Sequence, residues 1–199
     1  LPDAEEMNLA PGCKNIRIAS RTNQRIIMLN KGSDDKGFMV CKDCGAAMPG
    51  NDISVLNDIN RPYKSKFARS RCRHSNSFNV NLGYDFITDM LVLEFTIDDK
   101  IIDVRRNDSP WLSRAAQSLA EALRLVASKK LDVEFTELVT GYRLRTGSEA
   151  SYVDIYLYDS LSSGAGYAVS VADSIAELLS AMKELLSSCD CGSACSKCL

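Results

Sequence analysis

Half of the eight cysteines in this 199-residue chain fall within ten residues near its C-terminal end. They are Cys189, Cys191, Cys195 and Cys198. Pairing them as disulfides would force cramped loops of one to a few residues, whereas four thiolates spaced C-x-C-x3-C-x2-C can surround one tetrahedral ion. We therefore predict a closed structural zinc site here. An iron–sulfur cluster, and disulfides or free thiols, are the alternatives.

The redox compartment decides between a metal and disulfides. The first residues, LPDAEEMNLAPGC, have neither the basic region nor the apolar region of a secretory signal. No stretch approaches 18 consecutive apolar residues, so we predict a protein with no membrane partner. The expected location is the reducing cytoplasm, where clustered cysteines more often hold a metal because a cation neutralises their mutual repulsion.

A second cysteine pair has the form of a zinc knuckle. Cys41 and Cys44 stand in the sequence CKDCG, directly after a short predicted strand. A knuckle places two thiolates on a tight turn, with glycine where the backbone needs a positive φ. Cys72 is the third candidate ligand, and the fourth is either His74, the only histidine, or Cys13. We predict a second metal site from these residues.

A local basic segment stands out against an acidic chain. The net charge is −2, so any nucleic-acid contact has to be local. Residues 59–84 contain six basic and no acidic residues, which gives this window +6 against −8 for the remainder. Tyr63 and Phe67 are interleaved with the basic residues, which suits phosphate contacts with base stacking. The candidate nucleic-acid contacts are Arg61, Lys64, Lys66, Arg69, Arg71 and Arg73; the alternative interpretation is a solvated loop.

The hydrophobic pattern predicts an α+β fold, a mostly antiparallel sheet with two long helices and cysteine-rich zinc-binding segments on its rim. One helix is expected over residues 109–128 and another over 167–188, after a glycine-rich turn that we interpret as a sharp strand-to-helix connection. A hairpin is expected from strands 16–18 and 25–29. Further strands are expected at residues 88–97, 131–135, 142–145 and 152–158.

Catalytic motifs are absent from the sequence. G-x-x-x-x-G-K-[ST], which cradles phosphates, does not occur, and neither does G-x-S-x-G with a histidine partner. With one histidine, no Ser/His or Cys/His arrangement is persuasive. We therefore expect a chain that is not an enzyme.

Three stretches together resemble a known family. LYDSLSSGAGY at residues 157–167, a long helix, and the terminal C-x-C-x3-C-x2-C-L resemble the MrfA-type zinc-binding (MZB) domain. F-x-x-C-x-x-C-G at residue 38 and the strand preceded by LGYDFITD are also similar to that group. The predicted organisation is a single MZB-like domain over residues 1–199, with a zinc-knuckle and basic insertion at about 38–77 and a terminal four-cysteine module at 189–199. One departure is Ser162-Ser163-Gly164, which stands where Gly-Gly is common in the family.

The resemblance implies a zinc-binding accessory domain. Such domains are typically C-terminal parts of superfamily 2 DNA helicases in bacterial repair and phage defence, including DrmB-type proteins of the DISARM system. The implied partners are DNA, single strands included, and helicase motor domains, so we expect a fragment of a larger protein whose ATP hydrolysis lies elsewhere. The alternatives are a protein-interaction scaffold in a defence complex without nucleic-acid contact, and a redox or iron–sulfur enzyme that uses the terminal cluster.

Overall fold

The computed structural model describes residues 7–59, 71–98, 110–146 and 150–188. The chain divides into two compact units. One consists of Leu1–Arg25 together with Ile87–Leu199, and the other of Ile26–Phe86. We call them the discontinuous unit and, after the metal site predicted within it, the zinc unit.

A five-stranded sheet has the order β1-β2-β6-β8-β7. Strand β8 pairs antiparallel with both β6 and β7. The strands are β1 (Asn8–Leu9), β2 (Ile16–Asn30), β6 (Leu82–Ile97), β7 (Leu138–Thr146) and β8 (Ser151–Asp159). The strands predicted at 88–97, 142–145 and 152–158 all fall within these bounds.

The helices cover one face of this sheet. They are α1 (Pro110–Leu131), α2 (Tyr167–Ala172) and α3 (Ile175–Ser187). Leu91 and Leu93 of β6 share a buried core with Ile155 of β8, Leu123 of α1 and Leu178 of α3. Because alternate residues of a strand point to opposite faces, the odd-numbered residues of β6 and β8 form this core. The predicted α+β class, with an antiparallel sheet and two long helices, is confirmed.

The opposite face of the sheet carries buried charges. Glu94 and Asp154 lie directly opposite each other in the register of β6 and β8, and both are buried. Arg17 donates to Glu94 at 2.6 Å, and Arg145 contacts Glu94 as well. Asp154 accepts from Arg145 at 2.7 and 2.8 Å and from Arg143 at 2.8 and 3.0 Å. Each carboxylate is thus paired with arginine, which buried charges require.

The predicted hairpin is wrong. Residues 16–30 form one continuous strand, so the polar residues 21–24 do not turn the chain back. Asn23 has φ +56°, and its backbone N–H donates to the buried carboxylate of Asp89 at 3.1 Å. The polar stretch is therefore a local irregularity inside a strand that has a partner for its backbone groups.

Two further predictions need correction. The strand expected at residues 131–135 is wrong, because α1 continues to Leu131 and a 3-10 helix follows at Phe135–Glu137. The single helix expected over 167–188 is interrupted between α2 and α3. Its apolar stripe still continues through the interruption, since Val171 and Ile175 are both buried in the core. No helix in the described part of the chain is long and apolar enough to cross a membrane.

The zinc unit contains a three-stranded antiparallel sheet in the order β4-β3-β5. Its strands are β3 (Phe38–Cys41), β4 (Ala47–Pro49) and β5 (Ser77–Val80). Short 3-10 helices lie at Ser33–Asp35 and Ile53–Asp58. A small core of its own consists of Cys41, Ala46, Leu56 and Cys72.

Candidate metal centre

Four potential metal ligands converge in the zinc unit. They are Cys41, Cys44, Cys72 and His74, and their ligand atoms all lie within 4.8 Å of one another. We call these four residues the Cys/His group. Cys41, Cys72 and His74 are buried, and Cys44 is half-buried. Three thiols and one imidazole form a donor set that zinc commonly takes in structural sites.

The distances within this group fit a tetrahedral zinc ion. Zn–S bonds of about 2.3 Å and Zn–N bonds of about 2.0–2.1 Å, at tetrahedral angles, place two sulfurs about 3.8 Å apart and a sulfur and a nitrogen about 3.6 Å apart. The Sγ atoms of Cys41 and Cys72 are 3.7 Å apart. Cys44 Sγ and His74 Nδ1 are 3.5 Å apart, which identifies Nδ1 as the imidazole atom that faces the group.

The knuckle turn positions the first two thiols. Cys41 ends β3, where its N–H donates to the carbonyl of Ala46 and its carbonyl accepts from Gly45, both at 2.9 Å. Gly45 has φ +76°, a conformation that a residue with a Cβ adopts only at a cost. The turn thereby brings Cys44 back toward Cys41.

The second half of the group is a strained segment just before β5. His74 has φ +54°, unusual for a residue other than glycine, and is buried. Its N–H donates to Cys72 Sγ at 3.4 Å, and its carbonyl accepts from the hydroxyl of Ser77 at 2.6 Å. Such strain persists only where surrounding contacts hold it, and here the contacts orient both side chains toward the knuckle.

The electrostatics of the thiols favour a bound cation. Burial raises the pKa of the Cys41 thiol, but hydrogen bonds from His74 and from the backbone of Cys44 and Asp43 outweigh it and lower that pKa to about 6. Burial and the neighbouring sulfurs of Cys41 and Cys72 raise the pKa of Cys44 to about 11. Once one thiolate has formed, the next is opposed until a positive ion neutralises the charge.

The other predicted site residues differ in what the structure says of them. Cys13 belongs to the discontinuous unit, is a half-buried free thiol, and is not part of the Cys/His group. Arg71 and Arg73 are exposed, and Arg71 reaches the carbonyl of Ile59 at 3.5 Å. Eight candidates lie outside the described residues: Cys189, Cys191, Cys195, Cys198, Arg61, Lys64, Lys66 and Arg69.

A buried carboxylate in the glycine-rich turn was not anticipated from the sequence. Asp159 ends β8, is fully buried, and accepts the backbone N–H groups of Ala165, Tyr167 and Ala168 at 2.6, 3.1 and 2.8 Å. It thus satisfies N–H groups at the start of α2 that have no partner within the helix. The signal was an aspartate at the end of a buried strand, and its role confirms the turn as a strand-to-helix connection.

These features describe an α+β chain with a Cys/His group that suits zinc. Residues 119–199 match the MrfA Zn-binding domain (MZB) family, which confirms the resemblance over that part of the chain. The family and the Cys/His group together support zinc as the cofactor.

Two known proteins resemble almost the whole chain. Druantia protein DruE of Escherichia coli (strain UMEA 4076-1) is 33% identical over 209 residues, which cover 99% of this chain and 11% of that protein. The chain therefore spans about a ninth of the length of this relative. The crystal structure of the DUF1998 helicase MrfA bound to DNA is 14% identical, with a TM-score of 0.46 over 94% of this chain and 23% of that one.

Proposed function

We propose that the chain is a zinc-binding accessory domain of a larger helicase-type protein of DNA repair or phage defence. In this proposal it supports nucleic-acid engagement and docks beside motor domains. The observation that supports it most is the MrfA Zn-binding match over residues 119–199. The Cys/His group adds to it, because Cys72 and His74 stand on either side of Arg73, the last of the six basic residues.

The metal has a structural role in this proposal. Cys41, Cys44, Cys72 and His74 hold one zinc ion, and the four terminal cysteines hold another. A tetrahedral ion with four protein ligands has no open position for water or substrate, so it fixes the backbone and performs no chemistry. A chain with this role hydrolyses no ATP itself, and the motor activity belongs to other parts of the larger protein.

The metal site also determines where the basic segment is held. Arg71 and Arg73 flank the proposed ligand Cys72 and are exposed, whereas Cys72 itself is buried. A ligand that is anchored inward leaves its neighbours directed outward, and cations held in one place contact phosphates at a smaller entropic cost. In this proposal, the zinc therefore holds these cations in a position where they can contact nucleic acid.

A salt titration tests the proposal. The variant replaces Lys66, Arg69 and Arg71 with alanine. Each phosphate contact contributes about −0.9 to the slope of log affinity against log salt on duplex DNA, so the slope should flatten by roughly two to three. The matched control replaces Arg114, Lys129 and Lys183, three exposed cations of the discontinuous unit, with alanine and should keep the original slope.

Two outcomes would count against this function. An unchanged slope and affinity in the triple variant would move the nucleic-acid contact away from the basic segment. If the unaltered chain binds neither single-stranded nor duplex DNA at low salt, the scaffold without nucleic-acid contact replaces the proposal.

A further inference from the structure

One face of the three-stranded sheet in the zinc unit is apolar. Val40 lies opposite Ala47 on one side and Phe78 on the other, and Phe38 lies opposite Pro49 and Val80 in the same way. Residues directly opposite each other, and residues two apart along a strand, share a face. The shared face thus carries Phe38, Val40, Ala47, Pro49, Phe78 and Val80, and we call it the phenylalanine face.

This face points away from the small core, with three exposed and three half-buried residues. The alternate residues Met39, Cys41 and Met48 point the other way, into the small core around Leu56. Among the described residues, none of the six on the phenylalanine face belongs to either hydrophobic core. Phe78 has 38% of its surface exposed, so solvent and a ligand can reach its ring.

Positive charge accompanies the exposed ring. Lys42 Nζ lies over the ring of Phe78, 4.9 Å from its centroid, and the Lys42 N–H donates to the carbonyl of Asn76 at 2.9 Å, just before the start of β5. Arg73 is exposed, close before the same strand. The nearest acidic side chain in sequence, Asp43, is occupied by a hydrogen bond from Asn76 at 3.3 Å.

We propose that the phenylalanine face binds single-stranded nucleic acid: a base replaces Lys42 over the Phe78 ring, and the displaced Lys42 and Arg73 pair with the adjoining phosphates. This inference rests on the proposed function and names its ligand. An aromatic ring on an open sheet, bordered by flexible cations, is how sequence-tolerant single-strand binding is built, because every base offers a flat π surface. A duplex hides those surfaces in its own stack, so the ring selects unpaired bases.

The test measures binding of the chain to fluorescent oligothymidylate and to a duplex of equal length. Phe78→Ala should weaken binding to the single strand by about 5- to 150-fold, the range that one lost base stack gives. The salt slope should stay unchanged, because no charge is removed. Phe78→Trp, which keeps a stacking surface, should retain the affinity.

Phe135 provides a matched control in the other unit. It is 41% exposed, and the guanidinium of Arg124 lies 3.7 Å from its ring centroid, so it is an aromatic–cation pair of similar exposure. Phe135→Ala should bind oligothymidylate as the unaltered chain does. Phe78→Leu guards against misfolding, since it keeps an apolar side chain but removes the ring; its zinc content should be unchanged and its affinity reduced.

The possible outcomes distinguish a failure of this inference from a failure of the proposed function. If Phe78→Ala and Phe78→Leu both keep full affinity while the basic triple variant loses it, the phenylalanine face does not bind nucleic acid, and a protein partner becomes its occupant. If the unaltered chain binds no DNA, the proposed function fails first. Equal loss in Phe135→Ala would show a general effect of removing aromatics and would also overturn the inference.

Discussion

The two units of the chain differ in what holds them together. Among the described residues, the discontinuous unit has a core of 18 buried residues, drawn from the sheet and all three α-helices. The core of the zinc unit has four buried residues, and two of these are the cysteines Cys41 and Cys72. Ordering a backbone costs about 1–2 kcal/mol per residue, which a core of that size does not offset.

The comparison teaches that the same chain uses two kinds of stabilisation. In the discontinuous unit, burial of apolar surface contributes in proportion to the area removed from water. In the zinc unit, the proposed ion would add its binding free energy to folding, because the ligand geometry exists only in the folded state. Changes to the metal ligands should therefore affect the zinc unit far more than the other.

The largest effect is expected when the proposed ion is lost. Cys41→Ser removes a buried ligand of the proposed ion. In small zinc modules, the apparent binding free energy that structural zinc adds to folding is on the order of 10 kcal/mol. We expect zinc content to fall by one ion per chain. Hydrogen exchange should show the zinc unit unprotected and the core of the discontinuous unit still protected.

Cys13→Ser is the control for the loss of a thiol as such. Cys13 is a free cysteine outside the Cys/His group, so its variant should keep the zinc content and protection of the unaltered chain. If Cys41→Ser kept its zinc, or if both units lost protection together, the contrast between them would be wrong.

A smaller effect, confined to the discontinuous unit, is expected from the buried carboxylate of Asp154. Burial raises the pKa of this carboxyl, but the hydrogen bonds from Arg145 and Arg143 prevail and hold the pKa below its usual value. Asp154→Asn leaves both guanidinium groups without their strongest acceptor. We expect it to lower the free energy of unfolding at neutral pH by about 1–3 kcal/mol, less than breaking a fully buried pair does, because both arginines are partly exposed to solvent.

The pH dependence gives this prediction its sign. A carboxyl whose pKa is depressed by folding stabilises the protein above its unfolded pKa of about 3.9, and the contribution is lost as the pH falls through the folded pKa. The difference in the free energy of unfolding between the unaltered chain and Asp154→Asn, measured by urea denaturation, should therefore shrink in acid. The zinc contents of the two proteins are compared at neutral pH. Asp173→Asn, at an exposed site of the same unit, should change little. A difference that stays constant down to acidic pH would contradict the role of the ionised carboxylate.

The smallest effect concerns the turn before α2. Ser163 has φ +78°, and its N–H donates to the carbonyl of Ile87 at 2.6 Å. A left-handed conformation costs a residue other than glycine about 1–2 kcal/mol, so Ser163→Gly should be neutral or raise the melting temperature slightly. The adjacent Gly164→Ala should be destabilising, because its Cβ would clash with the Asp89 carboxylate. Loss of stability in Ser163→Gly would show that the serine side chain is needed.

The sequence predicted those elements whose pattern is local. The helix at 109–128 and the strands at 142–145 and 152–158 follow from apolar periodicity, and the knuckle follows from its spacing. Prediction from the local pattern failed where contacts with residues distant in sequence determine the secondary structure. The polar stretch 21–24 is accepted in a strand because Asp89, 66 residues away, takes the Asn23 N–H.

The same division applies to the candidate site. Spacing identified Cys41 and Cys44 as candidate ligands, but the choice between His74 and Cys13 for the fourth position depends on tertiary structure. The phenylalanine face was not predictable, because Phe38, Val40 and Phe78 come together only through the register of two strands far apart in sequence. Periodicity shows that a strand has a face, and pairing alone decides what else lies on it.

The division of the chain into units has a consequence for its synthesis on the ribosome. The zinc unit is one uninterrupted segment, Ile26–Phe86, whereas the discontinuous unit needs Leu1–Arg25 together with residues from 87 onward. We expect the nascent chain to capture its ion once His74 has left the exit tunnel, while the first strands still lack β6 and β8. Non-local strand pairings form slowly and leave strand edges exposed until they form. Early capture of the metal would therefore let the zinc unit fold before folding of the larger discontinuous unit can begin.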